Sequence, residues 1–372
     1  MSLKQNNISN NALQPQLPVA WYVDANIYAL EQKLLFPQAP QYVGHTLMVP
    51  NAGDYYSLQW MQHAKALVNN NNGIELISNL CRHRQALMLK GQGNSQVIVC
   101  PLHRWTYNLL GELIGAPHFI EKPCYHLNVT ALQNWNGLLF NSPCDIGQEL
   151  DQLACKADFD FSGFKLDRVM VEEYDFNWKT FIEVYLEDYH VGPFHPGLNN
   201  FVDCNQLNWE MGKNFSVQTV GVKQALKKSG SAIYQKWQQQ VLQHDAGQIP
   251  KHGAIWMAYY PFLMLEWYPN VLVVSHIIPR GVDACSNVVE FYYPEDILLN
   301  GRAFIEAQQA AYEETAIEDK EICQRMHEGR RALFAHGLDE RGPYQYPMES
   351  GLEHFHIWLR GQLEAHLPEA AK

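Results

Sequence analysis

The sequence has no apolar run long enough to cross a bilayer. Its longest apolar run covers only residues 254–265 and is interrupted by Pro261. The opening residues are rich in asparagine and glutamine and contain no apolar segment of the signal-peptide kind. Basic residues are also scarce, since 27 Lys and Arg stand against 39 Asp and Glu. The resulting net charge of -12 argues against nucleic acid or an anionic membrane surface as the main partner.

Cysteine is too sparse for a secreted disulfide scaffold, because eight cysteines are spread over 372 residues. We therefore expect free thiols in a reducing compartment, some of them metal ligands, and predict a cytoplasmic protein. No G-x-G-x-x-G follows a predicted strand, so a flavin or a nicotinamide bound by this chain is not expected. No internal repeat is visible either.

The pattern of apolar and polar residues along the chain predicts an α+β protein of two domains. A helix near residues 26–35 is followed by short alternating runs, which predict a small antiparallel β domain with a hairpin turn at residues 69–73. Longer strands are expected from residue 215 onward, and helices over residues 302–334 and 352–363.

Two Cys and His pairs lie in the predicted β domain, as Cys81-x-His83 and, after 16 further residues, Cys100-x-x-His103. A structural zinc site is one interpretation, but such sites usually separate their paired ligands by two to four residues. Two loop tips that each supply one Cys and one His can instead ligate a [2Fe–2S] cluster, with both thiolates on one iron and both imidazoles on the other. The single residue between Cys81 and His83 favours the cluster.

A second candidate metal site follows in residues 177–190, which we predict to be one helix. Its apolar stripe comprises Trp178, Phe181, Ile182, Tyr185 and Tyr189. Gly192 and Pro193 are expected to end the helix, so that the chain folds back and brings His195 beside His190. Two histidines and one carboxylate form the facial triad of non-haem ferrous oxygenases. By itself, a pair of histidines five residues apart is more often packed or solvated than metal-bound.

Taken together, the two sites resemble a known family. C-x-H, 16 residues and C-x-x-H, with Trp105 and Tyr107 behind them, resemble the Rieske domain of bacterial oxygenases. With N-W-K-x-x-x-E-x-x-x-E-x-Y-H-x-x-x-x-H over residues 177–195, nearly the whole chain is similar to the catalytic α subunit of Rieske non-haem iron oxygenases, the ring-hydroxylating dioxygenase superfamily. Gln85 and Arg104 depart from the glycines that many relatives carry at these positions.

The resemblance implies a role for each candidate residue. His190 and His195 would bind a mononuclear Fe(II), and Asp319 would be the third ligand, within the E-D-x-x-x-C-x-R-x-x-x-G setting of residues 318–329. Without the family, the several acids of that stretch look like a solvated helix face. Glu187 falls where the family keeps the acid that bridges cluster and iron. Glutamate at this position resembles the branch of choline, glycine betaine and carnitine oxygenases.

The resemblance also implies an architecture. A Rieske [2Fe–2S] domain over residues 41–150 would precede a catalytic domain over residues 151–372, in which an antiparallel sheet wraps round a helix in the helix-grip shape. Residues 1–40 would form an N-terminal segment and helix that pack on the catalytic domain. Family members assemble as head-to-tail trimers, so we expect a homotrimer.

The expected function is that of a terminal oxygenase, which passes electrons from the cluster to an iron that activates O2 against a small organic substrate. An external flavin and iron–sulfur reductase, with or without a ferredoxin, would supply the electrons. An aromatic compound or a quaternary amine is the expected substrate. Aromatic residues on two neighbouring strands would form either a cation–π cage or simple core: Trp256, Tyr259, Tyr260, Phe262, Trp267 and Tyr268. Two other readings stay open, an electron-transfer Rieske protein without oxygenase activity and a zinc-stabilised binding module.

Overall fold

The structure, a computed structural model, describes residues 16–367, so the first 15 residues of the N-terminal segment lie outside the described part. Two short helices, α1 (Ala20–Val23) and α2 (Ala25–Leu30), open the described chain, and α2 continues as a π-helical turn over Glu31–Leu35. Eleven strands follow: β1 (Gln41–His45), β2 (Asp54–Ser57), β3 (Lys65–Asn70), β4 (Gly73–Ser78), β5 (Gln92–Asn94), β6 (Val97–Val99), β7 (Thr106–Asn108), β8 (Leu113–Gly115), β9 (Val129–Ala131), β10 (Gln133–Trp135) and β11 (Leu138–Asn141).

These strands form three small antiparallel sheets. A five-stranded sheet has the order β5-β2-β3-β4-β9, and two three-stranded sheets have the orders β6-β7-β8 and β1-β11-β10. The predicted hairpin is present, since β3 and β4 pair from Lys65 with Ser78 to Asn70 with Gly73. Gly73 adopts φ +109°, a backbone conformation that favours glycine.

The second half of the chain contains one large sheet and most of the helices. Its elements are α3 (Ile146–Leu150), β12 (Phe164–Tyr174), α4 (Trp178–Tyr185), α5 (Val191–Phe194), α6 (Pro196–Asn199), β13 (Val202–Met211), β14 (Phe215–Val222), α7 (Ala232–His244), β15 (Ala254–Tyr259), β16 (Leu263–Tyr268), β17 (Val271–Gly281), β18 (Ala284–Pro294), α8 (Glu295–Asn300), α9 (Arg302–Ala335) and α10 (Ser350–Leu363). The seven strands pair antiparallel in the order β12-β18-β17-β16-β15-β14-β13. No helix within residues 16–367 combines the length and the apolar character needed to span a membrane.

The two faces of the large sheet have different neighbours, because successive side chains of a strand point to opposite sides. Trp256, Tyr268 and Val289 face the cavity and the helices, in a cluster with residues of α7 and α9. Met257 and Leu265 face the other way and pack with Tyr42 and other residues of the first half. The α+β class is thus observed, with the small sheets on one side of the large sheet and the helices on the other.

A buried carboxylate joins α4 to α9 and to both ends of the described chain. Glu183 of α4 accepts hydrogen bonds from Arg330 of α9 at 2.6 Å and from His356 of α10 at 2.7 Å, and it also bonds the Tyr22 hydroxyl. The Glu183 and His356 side chains are almost fully buried, and the Arg330 side chain is mostly buried. Because removal of one partner from a buried ion pair is costly, this contact fixes α4 relative to the long helix that carries Asp319.

The prediction of one helix over residues 177–190 is wrong. Asn177 caps α4 with its side chain, and α4 ends at Tyr185, so Tyr189 lies beyond the helix with 57% of its surface exposed. Gly192 and Pro193 do not end a helix, since both lie inside α5. A proline in the first turn of a helix is tolerated because its missing N–H has no partner there in any case.

We expect a buried histidine, His276 of β17, to make the fold sensitive to acid. Burial, with a smaller contribution from Arg280, lowers the pKa of His276 to about 3, and neither ring nitrogen has a hydrogen-bond partner among residues 16–367. The folded pKa lies below the unfolded value of about 6.5, so stability is complete above pH 6.5 and decreases as the pH falls toward 3. At pH 5 this single group is expected to cost roughly 2 kcal/mol.

Denaturant midpoints at pH 8 and pH 5 test this expectation. His276→Leu should lose less stability than the unchanged protein between the two pH values. His336→Gln, at an exposed position, serves as the control and should behave like the unchanged protein. Equal losses in all three proteins would contradict the assignment.

Candidate metal centres

The two Cys and His loops lie at one end of the first half of the chain and have matching backbone hydrogen bonds. The Cys81 N–H donates to the Ala86 carbonyl at 3.0 Å, and the Cys100 N–H donates to the Trp105 carbonyl at 2.8 Å. Four residues after each cysteine the backbone is left-handed, at Gln85 (φ 54°) and Arg104 (φ 61°). A positive φ favours glycine, so the backbone gives a physical reason why glycine would suit both positions.

The four candidate donors lie on these two loops, and the two cysteines are more buried than the two histidines. The thiols of Cys81 and Cys100 are free and buried. The rings of His83 and His103 are 4.6 Å apart, and His83 stacks on Trp105 at 4.9 Å. Nδ1 of His83 is buried and has no hydrogen-bond partner, as expected of a ring nitrogen kept for a metal. The residues therefore fit the cluster that the sequence predicts.

The spread of these donors is too large for a single ion. A zinc ion with bonds of 2.0–2.3 Å draws its ligand atoms to within roughly 4 Å of one another. Within residues 16–367, three or more such groups come within 4.8 Å of one another at only one place, and it contains none of these four residues. The geometry favours two irons over one zinc.

Three candidate donors converge on a single point, and they belong to His190, His195 and Asp319. Nε2 of His190 lies 3.0 Å from Nε2 of His195 and 3.5 Å from Oδ1 of Asp319. Nε2 of His195 lies 2.9 Å from the same carboxylate oxygen. His190 precedes α5, His195 lies between α5 and α6, and Asp319 lies on α9. Two imidazoles and one carboxylate are the donor set of a non-haem ferrous site.

The other nitrogen of each imidazole is held by an acid. Nδ1 of His195 lies 2.7 Å from Oε2 of Glu318, and Nδ1 of His190 is bonded by Oε1 of Glu187. Such bonds fix the ring orientation and leave Nε2 free to bind a metal. Glu187 also accepts the backbone N–H of His190 at 3.0 Å. The role of Glu318 was not predicted, because adjacent residues on a helix point in directions about 100° apart and only the folded chain shows which ring each one meets.

The electrostatics of this site favour a positive charge at its centre. Burial alone would lower the pKa of His190, but the carboxylates of Asp319 and Glu187 outweigh burial and raise that pKa to about 10. Burial alone would raise the pKa of Asp319, but the two histidines outweigh it and hold that pKa at about 2. The residues therefore fit a bound metal cation.

A cavity of about 440 Å³ adjoins the three candidate ligands. Several of its buried polar atoms find no hydrogen-bond partner within residues 16–367. One of them is a donor, Nε1 of Trp237, and the others are acceptors: both carboxylate oxygens of Asp188, Oε1 of Gln218 and Oδ1 of Asn287. The orientation of Gln218 is fixed, because its Nε2 donates to the Tyr185 carbonyl at 2.7 Å. The Cys204 thiol beside Asp188 is only a weak donor.

Of the aromatic residues predicted to form either a cation–π cage or core, some line the cavity and the others do not. Trp256 and Tyr268 line the cavity, whereas Tyr259, Tyr260, Phe262 and Trp267 do not. Tyr234 and Trp237 of α7 also line the cavity, and the sequence analysis did not predict them. A signal for them was present, because Ser231 is a typical helix cap and two aromatic residues three positions apart lie on the same face of a helix.

Comparison with known proteins agrees with the two centres. The Rieske [2Fe-2S] domain family matches residues 39–129, and the family "Ring hydroxylating alpha subunit (catalytic domain)" matches residues 160–365. A putrescine 2-hydroxylase of Ralstonia nicotianae is 58% identical over 347 residues, which cover 93% of this chain and 95% of that protein. A chloroplastic choline monooxygenase of Beta vulgaris is 26% identical over 373 residues, which cover 95% of this chain and 78% of that protein.

Among solved structures, a quaternary ammonium Rieske monooxygenase, described for carnitine oxidation by gut microbiota and inter-subunit electron transfer, superposes with a TM-score of 0.73. The match covers 96% of each chain at 19% identity, which shows a shared fold.

We expect the purified protein to be brown and to contain iron and acid-labile sulfide. After dithionite reduction it should give the axial electron paramagnetic resonance of a cluster with mixed histidine and cysteine ligation. A colourless protein with stoichiometric zinc would contradict the assignment of Cys81, His83, Cys100 and His103.

Proposed function

Because the chain belongs to the ring-hydroxylating alpha-subunit family and carries a Rieske domain, it is the terminal component of a Rieske oxygenase, and we propose that it hydroxylates putrescine or a similar linear diamine. A [2Fe–2S] cluster and a mononuclear iron are the cofactors of this family, and they supply the electrons and the reactivity toward dioxygen that the hydroxylation needs. We assign the cluster to Cys81, His83, Cys100 and His103. The iron is assigned to His190, His195 and Asp319.

The observation that carries the proposal is the excess of acceptors in the cavity. Asp188, Gln218 and Asn287 present buried oxygens for which residues 16–367 supply no donor stronger than the Cys204 thiol, and an unpaired buried acceptor costs about 1–3 kcal/mol. A primary ammonium group carries three N–H donors and a positive charge, so each ammonium group of a diamine can donate to oxygens of this kind. A quaternary ammonium has no N–H, and an aromatic hydrocarbon has neither donor nor charge. The cavity is therefore better suited to a primary amine than to choline, carnitine or an aromatic ring.

The reaction is a monooxygenation. One C–H bond of the diamine and the O–O bond break, a C–O bond forms, and the second oxygen atom leaves as water with two protons. Two electrons are consumed in each turnover, and an enzyme of this kind takes them from a reductase or ferredoxin. We propose that a flavin and iron–sulfur reductase supplies them, in a cytoplasmic setting.

We also propose a homotrimer, in which the cluster of one subunit lies close to the iron of the next. Its support is the exposure of His103 and of Leu102 beside it, which leaves the cluster tip accessible to a second copy. The structural neighbour with inter-subunit electron transfer has the same fold.

Coupled oxygen uptake and product analysis test the proposed substrate. The iron-replete protein, supplied with a reductase, should consume oxygen and form a hydroxylated diamine with putrescine. With choline, carnitine or naphthalene at the same concentration, product should form at less than about a hundredth of that rate. Comparable product from a quaternary amine and none from putrescine would overturn the proposal.

A further inference from the structure

One carboxylate in the cavity, Glu266 of β16, is buried without a counter-ion. Only 3% of its surface is exposed, and within residues 16–367 no Lys, Arg or His side chain forms an ion pair with it. Burial raises the pKa of Glu266 to about 7. A buried carboxylate is costly unless a partner compensates its charge, so this position favours a cationic ligand.

Two tyrosines hold Glu266 in a fixed orientation. The Tyr268 hydroxyl donates to Oε2 at 2.8 Å, and the Tyr312 hydroxyl donates to Oε1 at 3.2 Å. Tyr268 in turn accepts a hydrogen bond from Nε1 of Trp256 at 2.9 Å. The Ser275 side chain also hydrogen-bonds this carboxylate. Because a carboxylate has about four lone-pair sites, one acceptor site remains. The aromatic rings around it would add cation–π attraction for an ammonium group.

Helix α9 relates this carboxylate to the iron site. Tyr312 lies seven residues before Asp319, which is about two helical turns or 10.5 Å along the axis and nearly the same face. Three bonds of about 1.5 Å and one hydrogen bond of about 3 Å reach roughly 7 Å. An ammonium bound at Glu266 would therefore place a carbon three bonds away inside the cavity that Glu266 and Asp319 both line.

We propose that Glu266 binds the ammonium group farther from the reacting carbon, and so selects linear diamines over monoamines and sets the chain length. This inference rests on the proposed function. Glu266 would then determine which amines bind, a selectivity that the metal ligands alone do not explain.

The chain contains a matched control for this residue. Glu290 of β18 is also fully buried and accepts hydrogen bonds from two tyrosines, Tyr42 at 2.7 Å and Tyr292 at 2.6 Å. It lies on the opposite face of the same sheet and does not line the cavity. Glu266→Gln and Glu290→Gln thus make the same chemical change in similar surroundings, once inside the cavity and once outside.

The experiment compares putrescine with n-butylamine, which has the same carbon chain and a single ammonium. Anaerobic calorimetry gives the affinity of each amine for the iron-replete protein, and steady-state assays give kcat and KM. The unchanged protein should bind putrescine about 100-fold more tightly than butylamine. Glu266→Gln should reduce this preference to within a few-fold, by weakening putrescine binding and leaving butylamine binding unchanged. Glu290→Gln should keep the full preference.

A second variant covers the case in which Glu266→Gln does not fold. Glu266→Asp keeps the charge and withdraws it by one methylene, so the preferred substrate should shift from the four-carbon to the five-carbon diamine by about tenfold in kcat/KM. Putrescine hydroxylation with an undiminished preference in Glu266→Gln, or no shift in Glu266→Asp, would overturn the inference alone. If the unchanged protein does not hydroxylate putrescine, the proposed function fails and the inference fails with it.

Discussion

Glu187→Gln is expected to leave both metal centres filled and to slow single-turnover product formation by about 100-fold. Glu187 bonds Nδ1 of His190 through one oxygen, and an ionised carboxylate can accept a second imidazole N–H at the same time. We propose that this second donor is a cluster imidazole. In glutamine one oxygen is replaced by an amide donor, which must then face an N–H. The loss of one of the two bonds leaves buried groups unpaired, at a cost of roughly 1–3 kcal/mol.

The chain offers a control that separates the bridge from simple support of a ligand. Glu318 holds Nδ1 of His195 as Glu187 holds Nδ1 of His190, so Glu318→Gln makes the same change at the other ring. Both variants should retain iron and a reducible cluster, and only Glu187→Gln should leave the reduced cluster unable to support product formation. Product at the unchanged rate would mean that no bridge exists. Loss of iron would make Glu187 a group that shapes the site.

The second large effect is expected at Asp319. Asp319→Ala should empty the mononuclear site and reduce product to background, because it removes the carboxylate oxygen on which both Nε2 atoms converge. The cluster spectrum should be unchanged, because its proposed ligands lie on loops between the strands of the small sheets, in another part of the fold.

Iron analysis and the visible spectrum of Asp319→Ala make this measurement. Glu321→Ala is the control, since Glu321 lies on the same helix, is largely exposed and forms an ion pair with Arg325. Full iron content in Asp319→Ala, or its loss in Glu321→Ala, would show that the wrong carboxylate was chosen.

The sequence predicted those parts of the fold in which one local pattern dominates. The Asn-rich turn before Gly73 predicted the hairpin of β3 and β4, and apolar runs predicted β14, β17 and β18. Residues 254–265 were predicted as a single run, whereas the structure divides this region into β15 and β16. The long helix over residues 302–334 was predicted almost to its observed end at Ala335. Strands β12 and β13 were missed because most of their residues are only half-buried, which weakens the alternation on which such a prediction depends.

The functional residues can be separated in the same way, into those that a local motif predicts and those that only the folded chain reveals. The Cys and His spacing and the residues around His190 could be read from the chain as motifs. Glu266 could not, because its partner Tyr312 is 46 residues away and nothing local distinguishes it from other acids. Burial and the lack of a counter-ion make Glu266 notable, and both are properties of the folded protein. The substrate prediction therefore went no further than an aromatic compound or a quaternary amine, whereas the substrate that we propose from the cavity is a primary amine.

The most direct test of the account is a single turnover of the reduced, iron-replete protein with putrescine under oxygen-18 gas. Mass spectrometry of the product should find a hydroxylated diamine that is heavier than the product made under ordinary oxygen by the mass difference between the two isotopes. This result requires the cluster, the iron and the amine-binding cavity to act together in one protein. A hydroxylated product without the isotope, or no hydroxylated diamine from a protein with full cluster and iron content, would contradict the account.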